Sequence, residues 1–141
     1  REEETITRLS RVGFDNTLGY LEGGITAWTG AGKNIEQIEN ITATQLQTKI
    51  EKGAALFDVR KESEYDSVHI PNATVIPLDK INESLNQHDF EKEFYLHCAG
   101  GYRSMIALSI LKNRGIHRDV NVLGGMNSIQ ETEIPLQKSS C

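Results

Sequence analysis

The sequence predicts an α/β fold: a doubly wound, open parallel sheet with helices on both faces. Two observations predict it. Short apolar runs of strand length (residues 54–59, 94–98 and 120–123) alternate with segments of helical periodicity, the alternation that builds layered α/β domains. The segments between them are long enough to hold a helix, as a crossover between parallel strands must be. A third observation bounds the size: 141 residues suffice for one ordinary domain with chain left over.

Residues 1–12 read as a helix, because Ile6 and Leu9 recur at helical spacing, Glu2, Glu3 and Glu4 crowd its start, and Gly13 follows its basic end. A short strand is expected at 18–21. Gly23-Gly24-Ile25-Thr26-Ala27-Trp28 turns the chain into a brief helix, and residues 30–40 are polar and read as a linker ending in Ile41.

A new unit begins at Thr42. Thr42 and Gln45 form a capping-box pattern, Leu46 and Ile50 share a helix face, and Gly53 stops that helix. The run 54–59 is a buried strand. A charged turn or helix (61–66), a His69-Ile70-Pro71 turn, a strand at 74–76 and a helix over 78–86 follow. The run 94–98 is the next strand. After a Gly-Gly loop comes a helix with Met105, Ile106, Ile110 and Leu111 on its apolar side and Gly115 past its end. A last strand at 120–123 leads into Gly124-Gly125 and a short terminal helix.

An internal echo sets the expected domain map. Leu9, Gly13, Leu21 and Gly23-Gly24 match Leu111, Gly115, Leu123 and Gly124-Gly125, with one residue slipped between the two halves of the match. Residues 1–40 are therefore expected to be the C-terminal remnant of a preceding unit plus linker, carrying no chemistry, and residues 41–141 a complete domain.

Composition excludes several function classes. A net charge of −5, a pI near 5.4 and scattered Lys and Arg argue against a nucleic-acid partner. No apolar run approaches the ~20 residues of a membrane span, so no membrane role is expected. The expected partner is small or proteinaceous. Two cysteines, Cys98 and Cys141, are no disulfide framework; a reducing, cytoplasmic compartment is the expectation. The opening Arg-Glu-Glu-Glu has neither an initiator Met nor a signal-peptide core, which reads as a piece of a longer chain joined to further domains.

The chemistry centres on Cys98, at the C-terminal end of a strand and followed by two glycines and a helix, where open α/β sheets place ligands. Gly100 and Gly101 let successive backbone N–H groups curl inward, and the helix dipole adds positive potential there. Such a setting lowers a cysteine pKa from ~8.5 and makes the thiolate available at neutral pH. The competing reading is a buried core cysteine, the commoner fate of a lone Cys in a strand; it leaves the two glycines without a purpose.

Asp58-Val59-Arg60 with Glu64-Tyr65, His69-Ile70-Pro71-Asn72-Ala73, the loop Cys98-Ala-Gly-Gly-Tyr-Arg-Ser104, and Leu123-Gly124-Gly125 together resemble the rhodanese family over residues 42–136. Gly19-Tyr20-Leu21-Glu22-Gly23-Gly24 and Trp28 resemble the end of another such unit. The resemblance implies a sheet of five strands, a sulfurtransferase without cofactor or resident metal, and a persulfide carried on Cys98. It implies that backbone N–H groups of residues 99–103 (Ala99, Gly100, Gly101, Tyr102, Arg103) cradle the sulfur or the donor's oxyanion. A small-molecule sulfur donor, thiosulfate or an organic persulfide, would give sulfur to a thiol or cyanide in a ping-pong cycle. Tandem rhodanese units behind a metallo-β-lactamase-fold domain are one arrangement it resembles, in which case the metal site lies outside this chain.

Around Cys98 the roles are weighed residue by residue. Arg103 is read as binding the donor's anionic end rather than pointing to solvent, since a guanidinium suits oxyanions. Ser104 is placed with the substrate-binding loop, with a helix cap as the plainer reading. Tyr102 guards the mouth or is a surface aromatic. Asp58 and Arg60 brace the site, with Arg60 and Glu64 read as a local ion pair. His69 is read as a hydrogen-bonded turn residue, and His97 as facing away from Cys98.

Two rivals are carried. A dual-specificity-type cysteine phosphatase shares the fold, yet needs five residues between Cys and Arg where this loop has four. The other rival is a catalytically idle rhodanese-like interaction or regulatory module. Val68 and Asn72 depart from the glycines common around His-Ile-Pro, and Ile129 stands where the remnant has Trp28; these departures touch packing rather than chemistry.

Overall fold

A computed structural model describes residues 1–10 and 15–139. Gly13, Cys141, the expected helix end at residue 12 and the side chains of Arg8 and Leu9 lie outside the described residues. The chain divides into two compact units, Arg1–Gln37 and Ile38–Cys141.

In the first unit, helix α1 spans Glu2–Ser10, with Glu2, Glu3 and Glu4 in the first turn facing the positive end of the helix dipole. The strand expected at 18–21 does not form. Residues 15–20 have no regular structure and Leu18 is 92 % exposed: a strand needs a neighbour for its N–H and C=O groups, and no strand is described in this unit. Helix α2 (Gly24–Gly30) follows a left-handed turn at Gly23 and Gly24.

In the second unit, β1 (Glu39–Ile41), β2 (Ala55–Asp58), β3 (Thr74–Val75), β4 (Phe94–His97) and β5 (Asp119–Val122) form a sheet of order β1-β5-β4-β2-β3. Every pairing is parallel. Helices α3 (Ala43–Glu51), α4 (Glu62–Ser67), α5 (Ile81–Ser84), α6 (Tyr102–Asn113) and α7 (Gly125–Ile129) connect or follow the strands. The expected five-stranded, doubly wound sheet is present. The segment read as linker carries one of its strands, however: β1 pairs with β5 from Glu39↔Val120 to Ile41↔Val122.

Alternation along the strands divides the core between the two faces. Leu56, Tyr95, Val120 and Val122 pack with Leu46 of α3 and Ile129 of α7. On the other side, Phe57, Phe94 and Leu96 pack with Ala107, Leu108 and Leu111 of α6. The apolar side expected for α6 needs correction. Leu111 is buried as expected, but Met105 and Ile106 are 41 % and 38 % exposed. The stripe against the sheet is Ser104, Ala107, Leu108 and Leu111, at spacings of three and four. Apolar side chains ring this helix, so the sheet, not periodicity, decides which stripe is covered.

Candidate active site

Strand order places the site. From β2 the chain moves outward to β3 on one side, and from β4 it moves to β5 on the other. The loops after β2 and β4 thus part company, opening a crevice at the carboxyl ends of two adjacent strands. Asp58 and Arg60 stand at the end of β2, Cys98 at the end of β4, in line with the register Asp58↔His97.

The thiol sits under its own loop. Gly101 caps α6 at φ 104°, a conformation that costs glycine little, and so turns its N–H onto Cys98 Sγ at 3.1 Å. Ser104 lies in the first turn of α6 and is not the cap. Its hydroxyl donates to the Gly101 carbonyl at 2.8 Å and its Oγ stands 3.7 Å from Sγ. Burial pushes the thiol's pKa up, but the Ser104 amide and hydroxyl and the amides of Gly101 and Gly100 pull it further down. The net value lies below that of an ordinary cysteine. Cys98 is only 1 % exposed, so a donor must bring its sulfur into the loop.

The two strand ends are braced by a buried ion pair. Asp58 accepts from Arg60 Nη2 at 2.6 Å, from its Nε, and from its backbone N–H at 3.0 Å. Arg60 also donates to the Val68 carbonyl at 2.7 Å. The expected Arg60–Glu64 pair is therefore replaced by Asp58–Arg60, because Arg60 turns into the protein while Glu64 turns to the loop after β4. Glu64 receives Arg103 in a bidentate pair, Nη1 to Oε2 at 2.6 Å and Nη2 to Oε1 at 2.9 Å. The sequence pattern assigns Glu64 no site role of its own: 39 residues separate it from Arg103, and only the fold joins them.

His97 faces away from the Cys98 thiol, as expected. Its Nδ1 donates to the Cys98 carbonyl at 3.2 Å and its Nε2 lies 3.8 Å from Asp58 Oδ2; burial lowers its pKa despite that carboxylate. His69 is the expected hydrogen-bonded turn residue, with Nδ1 donating to the Tyr65 carbonyl and its ring stacked on Tyr65. Asn72 adopts φ 65°, the left-handed conformation that Asn tolerates best after Gly, which accommodates that departure.

The Gly124-Gly125 turn supports the loop from behind. The N–H groups of Met126 and Asn127 donate to the carbonyls of Cys98 (2.7 Å) and Ala99 (3.0 Å). Gly125 makes this approach possible: at φ +54, a Cβ there would lie 2.3 Å from the Cys98 carbonyl oxygen. Nothing local in the sequence ties Gly125 to Cys98; only the fold brings the turn against the loop.

Two clefts are lined by residues of this loop. One, of about 510 Å³, is lined by Ala99, Arg60, Ser63, Glu64, Asn127 and Gln130 among others. The other, of about 570 Å³, runs along the outer face of α6 past Tyr102, Met105, Ile106 and Ile110. Tyr102 is 81 % exposed. Among the described residues, no group of three or more His, Cys, Asp or Glu is placed to hold a metal ion.

A family model for the rhodanese-like domain matches residues 42–132. The chain is similar to the "Putative sulfur carrier protein YrkF" of Bacillus subtilis, 31 % identical over 98 residues, which cover 68 % of this chain and 53 % of that protein. It thus spans about half of that relative's length. It is also 36 % identical over 92 residues to the "Putative sulfurtransferase YtwF" of the same bacterium, covering 64 % of this chain and 88 % of that one. A solved rhodanese-like domain protein from Staphylococcus aureus superposes with a TM-score of 0.66 at 34 % identity, over 73 % of this chain and 100 % of its own.

Proposed function

Because this chain belongs to the rhodanese-like domain family, we propose that it is a sulfurtransferase that moves a sulfane sulfur through a persulfide on Cys98. The donor is thiosulfate or an organic persulfide, and the acceptor a thiol or cyanide. The observation that carries this reading is the Gly101 N–H aimed at Cys98 Sγ from 3.1 Å, a contact that favours a charged sulfur. In the first half-reaction the thiolate's electron pair bonds to the donor's outer sulfur. The donor's S–S bond breaks, and its electrons leave on sulfite or on a thiolate. In the second, the acceptor attacks the outer sulfur of the Cys98 persulfide and restores the thiolate. The loop amides serve both halves, because the Cys98 thiolate that opens the first is the thiolate that the second restores.

The amides of residues 99–103 and the Ser104 side chain would bind the transferred sulfur, with Asp58 and Arg60 as its brace. The two-unit division, drawn between Gln37 and Ile38, supports a remnant of a preceding unit followed by a domain within a larger protein, with that domain beginning at β1 rather than at residue 41. No described helix is long and apolar enough to cross a membrane, and a cytoplasmic setting would keep Cys98 reduced. A phosphatase is disfavoured by the four-residue spacing from Cys98 to Arg103. The idle-module reading draws on the 1 % exposure of Cys98.

Purified protein given thiosulfate and cyanide, or glutathione persulfide and a thiol, is expected to transfer sulfur and to gain one sulfur atom on Cys98 by mass spectrometry. No gain with either donor sinks the reading and leaves the idle module. The pH dependence has a defined sign. The thiolate is the nucleophile, so loading falls about tenfold per pH unit below the thiol's pKa and is level above it. With that pKa lowered, the rate should level off at a lower pH than it would for an unperturbed cysteine. Ser104→Ala removes one of the groups that lower it, so the limb should move to higher pH; stopped-flow loading across pH checks both.

A further inference from the structure

The loop from Ala99 to Ser104 contains one charged side chain, Arg103. Arg103 is close enough to feel the charge on Cys98, so its guanidinium is the group a doubly negative donor would meet. It is not offered free. Glu64 holds both Nη atoms, at 2.6 and 2.9 Å, and this Arg103 contact draws the Glu64 carboxyl down to about 2. Glu64 therefore stays ionised wherever the protein works, and the pair presents no net charge.

The cleft beside Ala99 repeats the pattern. Arg60 is the cation of its described lining, and it is locked to Asp58 and 3 % exposed. Glu64 lines the cleft too, bound to Arg103, and the remaining polar side chains, Ser63, Ser67, Asn127 and Gln130, are uncharged. On the opposite side the α6 cleft offers Tyr102, Met105 and Ile106, and its cation, Arg114, stands at the far, C-terminal end of α6 on Asn82 Oδ1. Hydrogen-bonding and apolar surface flank the sulfur, whereas Arg103 in the loop and Arg60 in the cleft beside Ala99 are each held by a carboxylate.

Resting on the sulfurtransferase reading, we propose that Glu64 is a specificity-determining residue. By holding Arg103 it withholds the loop's cation from an inorganic dianion and steers the site toward an organic persulfide. The favoured half-reaction is Cys98–S⁻ + R–S–SH → Cys98–S–SH + R–S⁻. One S–S bond forms and one breaks, and the departing thiolate takes the electron pair and then a proton from water. Thiosulfate would instead bring two negative charges to a thiolate and expel sulfite dianion, where the loop's cation, Arg103, is already held by Glu64.

The test is the ratio of kcat/KM for thiosulfate to that for glutathione persulfide, followed by sulfur gain on Cys98. In the wild type persulfide should be the better donor. Glu64→Gln should raise the ratio about tenfold, the worth of one freed charge contact. The gain should come chiefly through the KM for thiosulfate and fade with added salt. Adding Arg103→Met to Glu64→Gln should cancel the gain. The proposal is overturned if folded Glu64→Gln leaves the ratio unchanged, or if the double variant keeps the gain. Should Glu64→Gln fail to fold, the wild type decides, since faster loading from thiosulfate than from persulfide is incompatible with it. Loading from neither donor overturns the sulfurtransferase reading itself, whereas loading from both with an unmoved ratio overturns this inference alone.

Discussion

Cys98→Ser is expected to lower sulfur transfer by at least about a thousandfold while the protein keeps its fold. A hydroxyl at this position stays protonated at neutral pH, and an oxygen–sulfur adduct is no persulfide, so the cycle loses its first bond. The exchange of sulfur for oxygen is close to isosteric, and Ser104 and the Gly101 N–H remain to hydrogen-bond the new group. Thermal melting should therefore change little. Thiocyanate formation and the mass of the loaded protein measure the outcome. Transfer that survives in Cys98→Ser, or sulfur found on Cys141, would mean the loop is not where the chemistry happens.

Gly125→Ala should be the most damaging change outside the thiol itself. A methyl group there points at main-chain oxygens that cannot turn aside, 2.3 Å from Cys98 and 2.8 Å from Ala99. The backbone also sits in the left-handed region, which alone costs a non-glycine residue about 1–2 kcal/mol. Adding displacement of the loop, roughly 3–4 kcal/mol of stability should go. Urea unfolding measures that part. Any surviving activity should show a thiol pKa moved toward the ordinary cysteine value, because the loop amides shift with the Cys98 carbonyl. A variant with wild-type stability and pH profile would show that the turn does not hold the loop.

Much of the fold can be read from residue pattern because buried strands in a parallel sheet are continuous apolar runs. Residues 94–96 are such a run, and so is the greater part of 54–59. Glu39-Asn40-Ile41 is not, since β1 is an edge strand that buries only Ile41; its strand character comes from β5. The converse holds for 18–21, where suitable residues lack a neighbour to pair with. At the site, Cys98 and its glycines were legible because loop geometry is local. Glu64 was not. Its four-residue spacing from Arg60 suggests a helical pair, but Arg60 lies ahead of α4 and turns inward, leaving Glu64 to a partner from another strand's loop.

The family match starts at residue 42, but the sheet starts at Glu39. A fragment trimmed to the family limits would shed β1 and lay bare the main-chain edge of β5, with Val120 and Val122 along it. The Asn121 side-chain amide, which donates to Asn40 Oδ1 at 2.8 Å, would lose its acceptor. An uncovered strand of that kind recruits other chains edge to edge. The short stretch that precedes the family match is thus also the domain's guard against self-association, and shortening it would cost solubility before it cost chemistry.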